Sequence, residues 1–111
     1  MAFDVISPVS MAIDELPTST AAIYTVPAST RALVKTIDIA NNNLASVMVT
    51  VYMVPSGGTA GADNILIPGI TIPASSVLQW SGIHVLDAAG SIQAIAATTN
   101  VSAVISGGEA V

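Results

Sequence analysis

The run Thr30–Pro55, TRALVKTIDIANNNLASVMVTVYMVP, decides how this chain is read. Two apolar-rich segments, Arg31 to Ala40 and Ser46 to Val54, flank three consecutive asparagines, Asn41, Asn42 and Asn43. In the second segment Val47, Val49, Val51 and Met53 alternate with Met48, Thr50, Tyr52 and Val54, a period of two that places the first set on one face of a strand. β-Branched side chains suit a pleated surface, while Asn tolerates positive φ and bonds its own backbone. The expectation is a β-hairpin closed by the asparagines, with Val47, Val49, Val51 and Met53 turned to a core.

Working outward, Ser19 to Val26 reads as a strand ended by Pro27, Ala28 and Ser29. Pro55 to Asn64, with Gly57, Gly58 and Gly61, reads as an exposed loop; a phosphate cradle would need a Lys and a following helix, and neither is in the pattern. Ile65 to Ile67 and Ile70 to Ile72 read as one strand kinked at Pro68 and Gly69, since Pro cannot donate to a ladder. Val77 to Trp80 is another strand, and Gly82 to Ser91 permits either a strand or one helical turn. Ile92 to Ala97 and Val101 to Ser106 predict a second hairpin around Thr98, Thr99 and Asn100. About seven to nine short strands without an amphipathic helix define an all-β chain, an antiparallel β-sandwich or jelly-roll-like barrel. Residues 19–111 are expected to form its single sandwich domain, and residues 1–18 an N-terminal arm or edge strand. Phe3, Val5, Ile6, Val9, Met11 and Ile13 are too apolar for a solvated tail and are the candidate interface residues.

Composition narrows the function classes. Of 111 residues, 52% are hydrophobic and 8% charged, against about 25% charged in an average soluble domain. Charges normally keep a β-protein's surface and strand edges apart from its neighbours, so a chain this poor in them is expected to be covered by partners. Self-association is expected, with a trimer preferred. The net charge of −5 leaves Arg31 and Lys35 as the whole basic complement, too little to neutralise a phosphate backbone, so no direct nucleic-acid partner is expected. The chain has no cysteine, which removes disulfides and thiolate metal sites. No basic, apolar leader follows Met1, and no apolar run approaches the ~20 residues of a membrane-spanning helix.

Chemistry-bearing residues are sparse. His84 is the sole histidine, so a two-His metal site cannot form, and Ser81 and Asp87 stand too close to it along the chain to predict triad geometry. Asp14 and Glu15 are adjacent and would point to opposite faces of a strand. Asp63 and Asn64 lack the spaced oxygens that Ca²⁺ requires. Trp80 and Tyr52 offer either core packing or a sugar platform. No catalytic residue, metal ligand or cofactor is expected.

Five stretches carry a resemblance. Val26-Pro27-Ala28-Ser29-Thr30-Arg31-Ala32, then Ile37-Asp38-Ile39-Ala40-Asn41-Asn42 with Val49-Thr50-Val51-Tyr52-Met53-Val54-Pro55, and finally Leu86-Asp87-Ala88-Ala89-Gly90-Ser91-Ile92-Gln93-Ala94 with Val104-Ile105-Ser106-Gly107-Gly108-Glu109, are similar to small β-sandwich virion proteins of tailed bacteriophages. The likeness runs from Ala22 to Glu109, with Ser91 where such proteins would carry an acid. It implies a non-enzymatic virion component made in the host cytoplasm: a capsid decoration or cement protein on the capsid exterior, with the phage major capsid protein as partner. A tail or head-tail accessory protein is the near alternative. A pilus-like adhesive subunit or a carbohydrate-binding module using Trp80 and Tyr52 are the readings from other classes.

Overall fold

The computed structural model describes residues 6–111. They form eight strands, β1 (Ile6–Glu15), β2 (Ala21–Thr25), β3 (Arg31–Asn41), β4 (Val47–Val54), β5 (Ile65–Ile72), β6 (Val77–Leu86), β7 (Ser91–Ala96) and β8 (Val101–Ala110). The first sheet has the order β1-β8-β3-β6 and the second β2-β7-β4-β5. All pairings are antiparallel. β1 pairs with β8, β2 with β7, β3 with β6 and β4 with β5, as in one long hairpin rolled into two layers. That topology is a jelly roll.

The rolled pairing corrects the two predicted hairpins. β3 lies in the first sheet and β4 in the second, and β7 and β8 are divided in the same way. Each strand of such a pair has an apolar face to bury, and the two bury best against each other across the sandwich. Stacked sheets lie about 10 Å apart, a gap that the link Asn42–Ser46 spans easily at about 3.3 Å per residue. Among the described residues, β4 and β5 are the only consecutive strands that share a sheet. Gly82 to Leu86 extends β6, so the ambiguous stretch resolves as strand up to Leu86.

Inside, Val47, Val49, Val51 and Met53 are all buried as expected, packed with Val34, Ile37, Ile39, Ile92, Val101 and Ile105. The kink in β5 is present: Val49 pairs with Ile70 and Val51 with Ile67, and Gly69 supplies a positive φ of 61°. An extra residue there bends the edge strand where Pro68 has no N–H to donate.

The first sheet is bent along one line. Opposite β8, β1 inserts Met11 between Ser10 and Ala12, and β3 inserts Lys35 between Val34 and Thr36. Opposite Lys35, β6 in turn inserts Gly82 and Ile83. On β3 the buried positions therefore step from Val34 to Ile37, three residues and not two. β8 passes through the bend at Gly107, where a Cβ would collide with the Leu33 carbonyl and lie 2.9 Å from the Met11 methyl. Only glycine fits that approach.

At one pole, Asn41 ends β3 with 1% of its surface exposed. Its Nδ2 donates to the carbonyls of Ala45 at 3.0 Å, Ile72 at 3.0 Å and Pro73 at 3.2 Å. Its Oδ1 accepts from the Asn43 backbone N–H at 2.9 Å and from Asn43 Nδ2 at 3.0 Å. Asn43 Nδ2 also donates to the Thr99 carbonyl at 2.9 Å. The asparagines thus tie three connections together. Replacing Asn41 with Asp would turn the donor into an acceptor facing carbonyl oxygens. We expect Asn41→Ala to lower stability by about 2–3 kcal/mol in urea titrations and Asn41→Asp to lower it further. Gly107→Ala should destabilise by about 1–3 kcal/mol in the same measurement, through overpacking at the bend.

Candidate interaction surface

The jelly roll disperses the few groups able to do chemistry. Ser81 pairs with Thr36 on the outside of the first sheet, while His84 pairs with Val34, whose side chain is in the core. Ser81 and His84 therefore face opposite sides of the sheet, and the Asp87 carboxylate accepts from Arg31 Nε at 2.9 Å. These three residues do not converge. Asn64 is committed to its loop, accepting from the Gly61 N–H at 3.0 Å and donating to the Thr59 carbonyl at 2.8 Å. Among the described residues no group of three His, Cys, Asp or Glu could hold a metal ion. Trp80 packs against the core from the first sheet, and Tyr52 stands on the outside of the second, so they do not share a platform.

Of the candidate interface residues, Phe3 and Val5 lie outside the described residues. Met11 is buried in the domain's own core and Val9 packs against it. Ile6 and Ile13 project outward, 62% and 73% exposed. The bulge explains the difference, since inserting Met11 turns both Met11 and Ala12 inward and restores the outward phase at Ile13. Ile13 stands in one row with Val104, Asp38 and Gln79 across the four strands. A shallow hollow of about 290 Å³ opens over Gly107 and Gly108, walled by Ile6, Pro8, Leu33 and Lys35.

The second sheet is different in kind. None of β2, β4, β5 or β7 contains an Asp, Glu, Lys or Arg. Its outer surface has a hollow of about 170 Å³ between Met48, Thr50, Ile95 and Ala97. The charges of the described residues lie on the first sheet and in the loops. Each strand of the second sheet reads as uncharged in sequence, but only the strand order brings the four together.

Besides the Asn41 bond to Ile72, a pair of side chains joins the sheets. Glu109 stands opposite the buried Ala32, and its Oε2 accepts from the Tyr24 hydroxyl of β2 at 2.5 Å. Burial, and then the bond to the neighbouring carboxylate with its charge, push the Tyr24 phenol well above its ordinary value. The unfolded chain ionises this phenol at about pH 10 while the folded chain keeps it neutral, so the stabilisation is complete below that pH and is lost as pH rises through the folded value. Tyr24→Phe should be less stable than wild type at neutral pH, with the difference shrinking above about pH 10. Denaturant titrations across that range check it.

No family model matches the chain, and no curated protein matches it in sequence. Solved structures do. A structure of the infectious bursal disease virus Gx strain is similar with a TM-score of 0.57 at 10% identity, covering 96% of this chain and 33% of that one. A subunit from Bacillus endospore appendages, described as a novel family of disulfide-linked pili, has a TM-score of 0.47 at 14% identity, over 96% of this chain and 88% of that one. The infectious bursal disease virus VP2 subviral particle gives 0.43 at 10% identity, over 96% and 32%. This chain spans about a third of the length of the two viral proteins. At 10% identity the likeness to the first of these is one of fold alone.

Proposed function

We propose that this chain is a structural component of a virion, a decoration or cement protein that bridges subunits on the outside of a tailed-phage capsid. The observation that carries the reading is the charge-free second sheet. Covering it removes apolar area from water without stripping the hydration of a single ionised strand residue, which is what the core of a lasting interface requires. Bridging needs a second contact elsewhere on the domain, and the opposite outer face presents Ile6 and Ile13. We assign the shell contact to the second sheet and the neighbour contact to the outer side of β1, which carries those two residues. On a particle the shell sets the symmetry, and a local threefold would gather three copies.

The jelly roll itself is shared by capsid proteins, lectins and cupins, so it supports this reading without choosing it. The phage assignment rests on the resemblance of Ala22 to Glu109. The test is reconstitution. Particles stripped of the protein should rupture at lower temperature than complete ones, and adding the chain back should restore them. Ile95→Lys, on the outer surface of the second sheet, should weaken attachment at least tenfold by putting an unpaired charge in the interface. Ile6→Asp with Ile13→Asp should leave attachment intact but lose the gain in rupture temperature. Equal robustness with and without the protein defeats the cement role, and labelling on the tail alone transfers the reading to a tail accessory protein.

A further inference from the structure

Four strands lie at sheet edges: β1 and β6 in the first sheet, β2 and β5 in the second. An edge left unguarded is a template for another strand, and proteins guard edges with charge, proline or shortness. β1 carries Pro8, Asp14 and Glu15, β5 carries Pro68, and β2 is five residues long. β6, VLQWSGIHVL, is ten residues long with no proline and no Asp, Glu, Lys or Arg. Among the described residues it pairs only with β3. Its guard is the insertion at Gly82 and Ile83, which leaves Val77–Ser81 as a straight, open segment.

The side chains of that segment are unfinished in the isolated domain. Leu78 and Trp80 pair with the buried Ile39 and Ile37, yet both are only partly buried because nothing continues the sheet beyond them. On the other face Val77 is 63% exposed, and Gln79 and Ser81 are exposed beside it.

We infer that the Val77–Ser81 edge of β6 pairs antiparallel with the same segment of a second copy of this chain, about a two-fold axis at Gln79. The segment is complementary to itself in this arrangement. Leu78 lies opposite Trp80 of the second copy, and each covers the other's open flank. Val77 lies opposite Ser81, and the Gln79 carboxamides face each other, each able both to donate and to accept. No charge meets a like charge, although each copy carries a net charge of −5. One event closes both open edges, and the first sheets join into a continuous eight-stranded sheet. The inference stands on edge chemistry and does not rest on the virion reading.

The absence of cysteine from the chain makes the test direct. Directly opposed residues of an antiparallel pair have Cα atoms about 4.5–5.5 Å apart, within disulfide range. Under mild oxidation full-length Gln79→Cys should form a covalent dimer, and Ser10→Cys, exposed on the far edge, should not. Sedimentation gives the second arm. Wild type should sediment at twice the mass of Val77→Lys with Ser81→Lys, which sets like charges opposite each other at two places and should weaken association at least tenfold. Val77→Lys with Ser81→Glu sets opposite charges there and should keep the wild-type mass. The substituted positions are exposed, and circular dichroism confirms that each variant is folded. A wild type that is monomeric at every concentration, a Lys/Lys variant of unchanged mass, a Lys/Glu variant of halved mass, or equal cross-linking at positions 79 and 10 would each overturn the inference.

Discussion

The Asn41 carboxamide lies where β3 leaves its sheet, and its two hydrogens are shared among three backbone carbonyls, one from its own connection and two from the end of β5. A jelly roll concentrates such demands, because nearly every connection leaves its ladder and strands backbone groups that must still be paired. Apolar burial fixes how far apart the sheets stand but is non-directional, and it cannot say which residue of β3 comes level with the end of β5. The carboxamide can. With Asn43 it extends the tie to the loop between β7 and β8, so the crossings at this pole hold one another in place.

This also marks where local reasoning from sequence stops. The alternation through Val47 to Met53 was legible because β4 runs in unbroken register with β7, and every second residue meets the core. The three asparagines announced a change of direction correctly and its kind wrongly. A hairpin and a crossing use the same turn chemistry, and the choice was made by β6 and β8, which pair with β3 from far along the chain. Nor could three identical residues in a row reveal that one of them is buried. The candidate interface shows the same limit, since Met11 and Ile13 are equivalent under a period of two. A single inserted residue, dictated by the fit of β1 on β8, sends one inward and the other outward.

The bend in the first sheet follows from backbone contact more than from side-chain preference. β8 has a neighbour on each side, and both insert a residue close to Gly107, where the chain comes against the Leu33 carbonyl. Bulges increase local twist and turn a strand away from the plane of its sheet. On β6 the same line of insertions interrupts the free edge at Gly82 and Ile83, so the geometry that shapes the core also limits how much edge a neighbouring strand could use. Trp80 lies across this point, with its ring 3.3 Å from where a Gly82 Cβ would be. An aromatic ring over a strand glycine covers backbone that would otherwise face water.

The distribution of charge links these features to association. Nine charged residues in 111 would be too few to keep a β-protein apart from its neighbours if they were spread evenly. They are not spread evenly: the strands of the second sheet have none, while β1 and β3 hold most of the strand charges. Desolvating an ion costs several kcal/mol even after the protein relaxes, more than the roughly 2.5 kcal/mol that about 100 Å² of apolar contact can repay. A surface without ions escapes that penalty, so the second sheet can be covered by any partner of matching shape. Specificity then has to come from shape and backbone pairing, which are the two things a rolled sandwich with one open edge supplies.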